Sequence, residues 1–192
     1  MRTTLLPALV LVPALALGAC TDTPETTTDT SVTTEATEAT EAADTDDRDA
    51  LLQRLIEEEK VAHDLYTAFD ENYGTQVFSN ITRGEVGHQD AVLRVLDAAG
   101  TDDPRTRVPG EFTDPELQEL YDDLLARGLE SETAAYQVGV DFETWDITEL
   151  ENDLAATPED DTELRELLQF LIDGSQRHLA AFERQLDRPR GR

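Results

Sequence analysis

The chain has 192 residues, of which 43 are acidic and 15 are Lys or Arg, and its net charge is −28. Such an acidic surface repels phosphate backbones and anionic lipid headgroups, which argues against a nucleic-acid-binding protein and against electrostatic membrane docking. The sequence also lacks a Gly-rich phosphate loop and a Gly-x-Ser-x-Gly motif, and its single Cys, Cys20, excludes an internal disulfide.

The N-terminal segment has the pattern of an export signal. Arg2 precedes an apolar run over residues 4–17 that is too short for a comfortable membrane span. The run ends in Leu-Gly-Ala-Cys at 17–20, which resembles the lipobox of bacterial lipoproteins. We therefore expect residues 1–19 to be a signal peptide and Cys20 to carry a lipid that anchors the protein at the outer face of the bacterial cytoplasmic membrane or envelope. The alternative is an ordinary secretory signal whose Cys is incidental.

Residues 20–49 are predicted to be a disordered tether between that anchor and a folded domain. The stretch 21–49 is made mostly of Thr, Glu, Asp and Ala, and it holds ten acidic residues against one basic residue, Arg48. A segment of this composition buries too little apolar surface to offset the entropy lost on ordering. We expect one domain over residues 50–187, followed by a short tail at 188–192.

The domain has helical periodicity throughout and no strand pattern. Good N-cap residues and helix-ending glycines mark the boundaries. The predicted helices run from about 48 to 73, from Ser79 or Asn80 to Gly100, from Pro115 to Gly128, from Ser131 to about Trp145, over a short segment capped by Asp146, and from Thr157-Pro158 to about Leu186. This pattern predicts an all-α fold, a four-helix bundle with one or two short extra helices.

The second helix carries the most informative polar pair. Glu85 and His88 are three residues apart, so they share a face, and that face is otherwise apolar. Burying a carboxylate and an imidazole is costly unless something pairs them, and in four-helix bundles that partner is often a metal pair held by Glu and Glu-x-x-His units. Gly84 and Gly87 beside them suggest that another helix or a ligand comes close. The alternative is a core histidine satisfied by Glu85 alone.

The other long helices also place polar residues on apolar stripes. Glu59 lies on the same stripe of the first helix as Tyr66, whereas Glu58 aligns with a different face and is the weaker candidate. His178 lies on the apolar face of the last helix and is expected to face the core. His63, at the edge of the first stripe, is expected to be exposed or to form an interhelical hydrogen bond.

Two acidic residues of the fourth helical segment need separate consideration. Glu143 lies on the face that also carries Tyr136 and Gly139. Asp146 is three residues further along and could share the face of Glu143. Asp146 is also a candidate N-cap for the next helix, in the capping-box pattern Asp-Ile-Thr-Glu, and this capping role is the favoured interpretation.

These residues together resemble the ferritin-like superfamily. The matching segments are Glu-Glu-Glu-Lys-Val-Ala-His-Asp-Leu-Tyr at 57–66, Val-Phe-Ser-Asn-Ile at 77–81, Glu-x-x-His-x-Asp-Ala-Val at 85–92, Asp-Ile at 146–147 and Gly-Ser-Gln-Arg-His-Leu-x-x-Phe at 174–182. The pattern looks specifically like an uncharacterised bacterial and archaeal branch of that superfamily.

The resemblance implies an antiparallel four-helix bundle with a dinuclear metal centre. Its ligands would be Glu59, Glu85, His88, Glu143 and His178, with Asp146 as a weaker candidate. Many relatives have Glu-x-x-His in the fourth helix, whereas this chain has Ser175 in the position of the Glu. Tyr66 is placed to hydrogen-bond a ligand. Carboxylate and imidazole donors suit two divalent ions, iron first, with manganese or zinc as alternatives.

Three functions remain open from the sequence. The first is an envelope-tethered di-iron protein that oxidises ferrous iron or reduces dioxygen or peroxide. The second is a non-catalytic metal-binding protein, and the third is a structural helical interaction module with a buried polar network. No substrate-binding signature is visible, so the chain is not assigned to an enzyme class. The expected partners are metal ions, with membrane contact only through Cys20, and self-association into a homo-oligomer is left open.

Overall fold

The computed structural model describes residues 32–188, with side chains described from residue 46 onward. The predicted signal peptide and Cys20 lie outside the described residues. Within the described part the chain is helical and contains no strand, which confirms the predicted all-α class. Its helices are α1 (Val32–Tyr73), α2 (Gln76–Ala99), α3 (Pro115–Gly128), α4 (Glu132–Ala156) and α5 (Thr162–Leu186).

Helix α1 begins at Val32, well before the predicted start near residue 48. The expectation that residues 32–49 are a disordered part of the tether therefore differs from the structure. This stretch has no Gly or Pro and is rich in Ala and Glu, so it can extend a helix that the buried residues after it have already nucleated. Arg48 also donates from Nε to Asp161 Oδ2 at 2.8 Å, which ties the predicted tether to the start of α5.

Several predicted helix boundaries are confirmed by the capping contacts. Asp114 accepts a hydrogen bond from the backbone of Glu116, and Ser131 accepts one from Ala134, as expected for N-caps. Gly100 ends α2 with a φ of 76°, a left-handed conformation that glycine adopts without strain.

Two helix starts differ from the prediction. Helix α2 begins after Thr75 rather than at Ser79 or Asn80, and α5 begins after Asp161 rather than at Pro158. In α5 the Asp161 side chain accepts from the Leu164 backbone, so a better cap lies further along the chain.

The predicted helix boundary at Asp146 is wrong. Helix α4 runs without interruption from Glu132 to Ala156, and Asp146 lies in its interior with 5% of its surface exposed. The Asp146 carboxylate accepts a hydrogen bond from Ser175 on α5 instead of capping a backbone amide. A single helix therefore replaces the two predicted ones, because the apolar face that buries Phe142 continues through Leu150.

The helices enclose two apolar clusters with a polar layer between them. One cluster is aromatic and includes Tyr66, Phe69, Phe78 and Phe182, and the other is aliphatic and includes residues of α1, α2, α4 and α5 around Leu168. Helix α4 packs against α5 and α3, and α2 packs against α5. The polar layer is thus placed where water has little access.

Charged residues of the 57–66 segment of α1 bind the loop that follows α2. The Lys60 ammonium donates to Asp64 and to the carbonyls of Val108 and Glu111, both at 3.1 Å. The Glu57 carboxylate accepts from Thr113 at 2.7 Å. These charged residues are buried, so each depends on the contacts just described.

Among the helices of the described residues, none combines the length and the apolar character that crossing a membrane requires.

Candidate metal centre

Four helices contribute side chains to the polar layer. Their candidate donors are buried with at most 5% of their surface exposed, apart from His178, whose side chain is 12% exposed. The donors are Glu59 from α1, Glu85 and His88 from α2, Glu143 and Asp146 from α4, and His178 from α5.

Glu85 lies between the two histidines. Its Oε2 is 3.0 Å from His88 Nδ1, and its Oε1 is 2.8 Å from His178 Nδ1. His88 Nδ1 is also 3.0 Å from Glu59 Oε2, and His178 Nδ1 is 3.7 Å from Glu143 Oε1. One carboxylate therefore joins both imidazoles, and each imidazole also faces a carboxylate from a further helix.

Two of these atoms are buried without a hydrogen bond. Glu85 Oε1 and His178 Nδ1 find no hydrogen-bond partner among the described residues, although they are only 2.8 Å apart. Their angles do not suit a hydrogen bond. Unsatisfied buried polar atoms are costly, and a ligand that both atoms contact would remove that cost.

Each histidine rests against a glycine of the opposite helix. A Cβ built on Gly84 of α2 would lie 2.6 Å from His178 Nε2, and one built on Gly174 of α5 would lie 2.0 Å from His88 Nε2. Only glycine leaves room for these rings. The expectation of a close approach therefore holds for Gly84, whereas a Cβ on Gly87 would meet nothing within 4 Å among the described residues.

Hydrogen bonds from neighbouring helices orient two further carboxylates. Tyr66 on α1 donates from its hydroxyl to Glu143 Oε1 at 2.8 Å, and Ser175 on α5 donates to Asp146 Oδ2 at 2.8 Å. Such outer contacts hold a ligand in place. Ser175 on α5 thus positions a carboxylate that comes from α4.

Burial raises the pKa of several of these carboxyls. It raises the pKa of Glu59 to about 7, against the opposing effect of His88. Burial, together with the negative charge of Glu85, raises the pKa of Glu143 well above its usual range. Burial and the charge of Glu59 do the same for Asp146. These groups therefore tend to hold protons at neutral pH, which a metal ion would displace.

For Glu85 and His88, in contrast, the pKa shifts favour the charged form of each side chain. Burial acts to raise the pKa of Glu85, but the close contacts with the two histidines outweigh it and lower the pKa to about 2. Burial acts to lower the pKa of His88, but Glu59 and Glu85 raise it to about 11. In the absence of metal, the centre thus holds an ion pair between the His88 imidazolium and the Glu85 carboxylate.

Three of the residues could hold a metal ion as they stand. One donor atom each from Glu85, His88 and His178 lie within 4.8 Å of one another. Mixed imidazole and carboxylate donors suit iron, manganese or zinc. Glu59 adds a further carboxylate beside His88, and Glu143 adds one beside His178.

Two other residues of the 57–66 segment differ from the sequence-based expectations. His63 is half-buried and contacts its neighbour Asp64 on the same helix, so it is neither exposed nor joined by this contact to another helix. Glu58, the weaker candidate, is 3% exposed and is therefore as buried as Glu59. Burial raises its pKa to about 7, against the effect of Arg54. The periodicity of α1 does not predict this burial, because it assigns Glu58 to a different face from Glu59.

Comparison with known proteins identifies relatives of the domain. Residues 47–192 match the family described as Uncharacterized protein domain (DUF2202). The chain is 36% identical over 132 residues to the uncharacterized protein MJ0754 of Methanocaldococcus jannaschii, and the match covers 68% of this chain and 70% of that protein. It is also similar to the crystal structure of hypothetical protein MJ0754 from Methanococcus jannaschii, with a TM-score of 0.70 and 34% identity over 73% of this chain and 80% of that one. None of these names states a ligand or an activity.

Proposed function

The chain belongs to the DUF2202 family, and from its site we propose that the domain binds a pair of divalent metal ions, iron first, in a ferritin-like antiparallel four-helix bundle. Helices α1, α2, α4 and α5 would form the bundle and α3 would be the extra helix. The observation that carries this proposal is Glu85, whose two oxygens face the Nδ1 atoms of His88 and His178. One of those contacts leaves both of its atoms without a hydrogen bond.

The charges of the donor set support two divalent ions rather than one. The ligands would be Glu59, Glu85, Glu143 and Asp146 with the two histidines, and four carboxylates balance four positive charges. Asp146 completes this set from α4. The buried Ser175 that holds it therefore compensates for the missing fourth-helix Glu.

The surrounding residues suit a redox-active centre. Bound iron would supply one-electron chemistry, in which ferrous iron is oxidised while dioxygen or peroxide is reduced. The hydroxyl of Tyr66 holds Glu143, and the aromatic cluster on that side, which includes Phe78 and Phe182, limits access of water. With manganese or zinc in place of iron, the same residues would form a non-catalytic metal-binding protein.

We also propose that the domain acts outside the cytoplasmic membrane as a lipoprotein. The support for this is the apolar run over residues 4–17 followed by the lipobox-like segment that ends in Cys20. A membrane-tethered position would expose the centre to metal ions and oxidants that arrive from outside the cell.

The experiment that tests metal binding compares thermal unfolding with chelator and with added iron, manganese or zinc. The parent protein should gain melting temperature with metal, and Glu85→Gln or His88→Ala should lose most of that gain. Metal affinity should fall by more than about tenfold, since even an outer contact of a ligand contributes about that much. In chelator, Glu85→Gln should also lower stability, because it removes the carboxylate charge that pairs with His88. The gain in melting temperature on adding metal is therefore the deciding measurement.

His63→Ala is the matched control. His63 is the third histidine of the chain, and it contacts Asp64 rather than the centre. It should keep the metal response. A parent protein whose melting temperature does not rise with any of the three metals would refute the proposal. A plain Glu85–His88 polar pair would lose the same amount of stability on mutation with chelator and with metal, because a buried partner is left unsatisfied and no metal ion is involved. Aerobic addition of ferrous iron, followed by absorption spectroscopy, distinguishes a redox-active iron centre from a colourless zinc site.

A further inference from the structure

A second acidic group lies beside the centre, at the contact between α1 and α4. Glu58 is 3% exposed, and its Oε1 accepts a hydrogen bond from Arg54 at 2.6 Å. Its other oxygen, Oε2, is buried and has no hydrogen-bond partner among the described residues. A carboxylate oxygen that is buried and unpaired is costly, and a cation that contacts it would remove that cost.

The Arg54 guanidinium pairs with the same carboxylate through its other oxygen, Oε1. It bridges two helices, donating 2.6 Å bonds to Glu58 on α1 and to Asp153 on α4. About a third of the Arg54 side chain is exposed, and Asp153 is 20% exposed. The guanidinium is therefore in contact with solvent on one side and with a buried carboxylate on the other. Its long side chain can leave this position without unfolding either helix.

Both carboxylates lie on helices that also carry proposed ligands of the metal centre. Glu58 directly precedes the proposed ligand Glu59 on α1. On α4, Asp153 follows Asp146 by seven residues, or two turns, and therefore lies on the same face. Each of the two carboxylates that Arg54 contacts thus lies on the same helix as a proposed ligand, one residue or two turns away from it.

The opposite side of the centre offers a less suitable path. There the ring of Phe170 lies against His88, with centroids 5.6 Å apart, and the two histidine rings lie close against Gly84 and Gly174. An apolar ring does not attract a hydrated cation, whereas a pair of carboxylates does.

We propose that Glu58 and Asp153 form an uptake site through which divalent cations reach the centre, and that Arg54 occupies and closes it between uptake events. This inference rests on the proposed metal-binding function, and it adds a residue pair that captures the ion and a residue that controls access. A divalent cation displaces the guanidinium from the two carboxylates and then passes to Asp146 and Glu59.

The test follows the rate of Co²⁺ uptake by the full chain in stopped flow, through the change in visible absorption when Co²⁺ gains protein ligands. Asp153→Asn and Glu58→Gln should slow uptake by about tenfold or more at low ionic strength, because they remove the charge that attracts the ion. Arg54→Gln should instead accelerate uptake. The final number of ions bound should stay the same in Asp153→Asn and Arg54→Gln.

Arg127→Gln is the matched control, because Arg127 on α3 also joins its helix to a carboxylate of α4, Asp141, which lies twelve residues before Asp153. It should leave the uptake rate unchanged. A purely structural role of the Arg54 contacts predicts that Arg54→Gln and Asp153→Asn change the rate in the same direction, which would overturn the proposal. Acceleration by Phe170→Ala, with no effect of the α1–α4 variants, would overturn it in favour of the α2–α5 side.

The two proposals fail in distinguishable ways. If the parent binds no Co²⁺ at equilibrium, the metal-binding function is wrong and the uptake site fails with it. If the parent binds Co²⁺ and the rates are the same in all variants, only the uptake site is wrong.

Discussion

The contact between Gly174 and His88 allows a test of whether the histidine ring must lie where the helices place it. In Gly174→Ala the added Cβ would lie 2.0 Å from His88 Nε2, whereas ordinary contacts begin near 3.4 Å. The ring would therefore have to retreat by about 1.4 Å, the difference between these two distances. Metal sites tolerate deviations of only about 0.2 Å in ligand distance. Metal affinity should consequently fall by at least about tenfold, the scale for losing a contact that orients a ligand.

The stability of the metal-free protein should change much less than its metal affinity. Overpacking costs about 1–3 kcal/mol, and replacing a helical Gly by Ala returns about 1 kcal/mol. The net loss should therefore be between about 0 and 2 kcal/mol. Gly87→Ala is the matched control, because nothing among the described residues lies within 4 Å of its Cβ position. It should stabilise the protein by about 0.5–1 kcal/mol and leave metal affinity unchanged.

The assay pairs a metal titration with denaturant unfolding in chelator for the parent and the two alanine variants. If Gly174→Ala bound metal as tightly as the parent, the contact of the His88 ring with Gly174 would not determine the geometry of the site. Equal losses of affinity in Gly174→Ala and Gly87→Ala would also contradict the reasoning, since only the first substitution meets the ring.

Two further predictions concern pH and location. Without metal, stability should fall as pH rises from about 4.5 to about 7, because the folded protein keeps a proton on Glu59 that the unfolded chain has released. The contribution of His88 is full below about 6.5 and is lost as pH rises towards 11, whereas that of Glu85 is lost only as pH falls from 4.5 towards 2. Denaturant unfolding in chelator at several pH values measures this dependence. Glu59→Gln should make the free energy of unfolding vary less with pH between about 4.5 and 7. A free energy of unfolding that rises with pH over this interval would contradict the prediction. For location, Cys20→Ala should release the protein from the membrane fraction on cell fractionation, and a variant that still sediments with membranes as the parent does would exclude the lipid anchor.

The sequence alone determines the helices and most of their ends, because these depend on local properties. Apolar residues at helical spacing and the caps Asp114 and Ser131 act within a few residues of chain. The same local reasoning fails at Asp146, whose sequence context is that of a good N-cap. Whether the chain stops or continues there depends on the partners of the side chain, and Ser175 on another helix supplies one.

The polar layer could be predicted in part, from residues that face the core on their own helix. Glu59, Glu85 and His88 follow from this rule and lie together in the structure. Glu58 does not follow from this rule, because it lies about 100° around the helix axis of α1 from Glu59. Its carboxylate is instead covered by Arg54, which also contacts Asp153 on α4.

The pairing of donors is a property of the tertiary structure alone. Spacing along α2 joins Glu85 to His88, but only the packing of α5 brings His178 to the other oxygen of Glu85. Gly84 and Gly87 are equivalent in sequence as small residues beside a candidate ligand, yet only Gly84 has a ring against it. The physical reason is that periodicity specifies the direction of a side chain from its own helix axis. The distance between atoms on two helices depends on how those helices pack, and therefore on contacts between residues far apart in the chain.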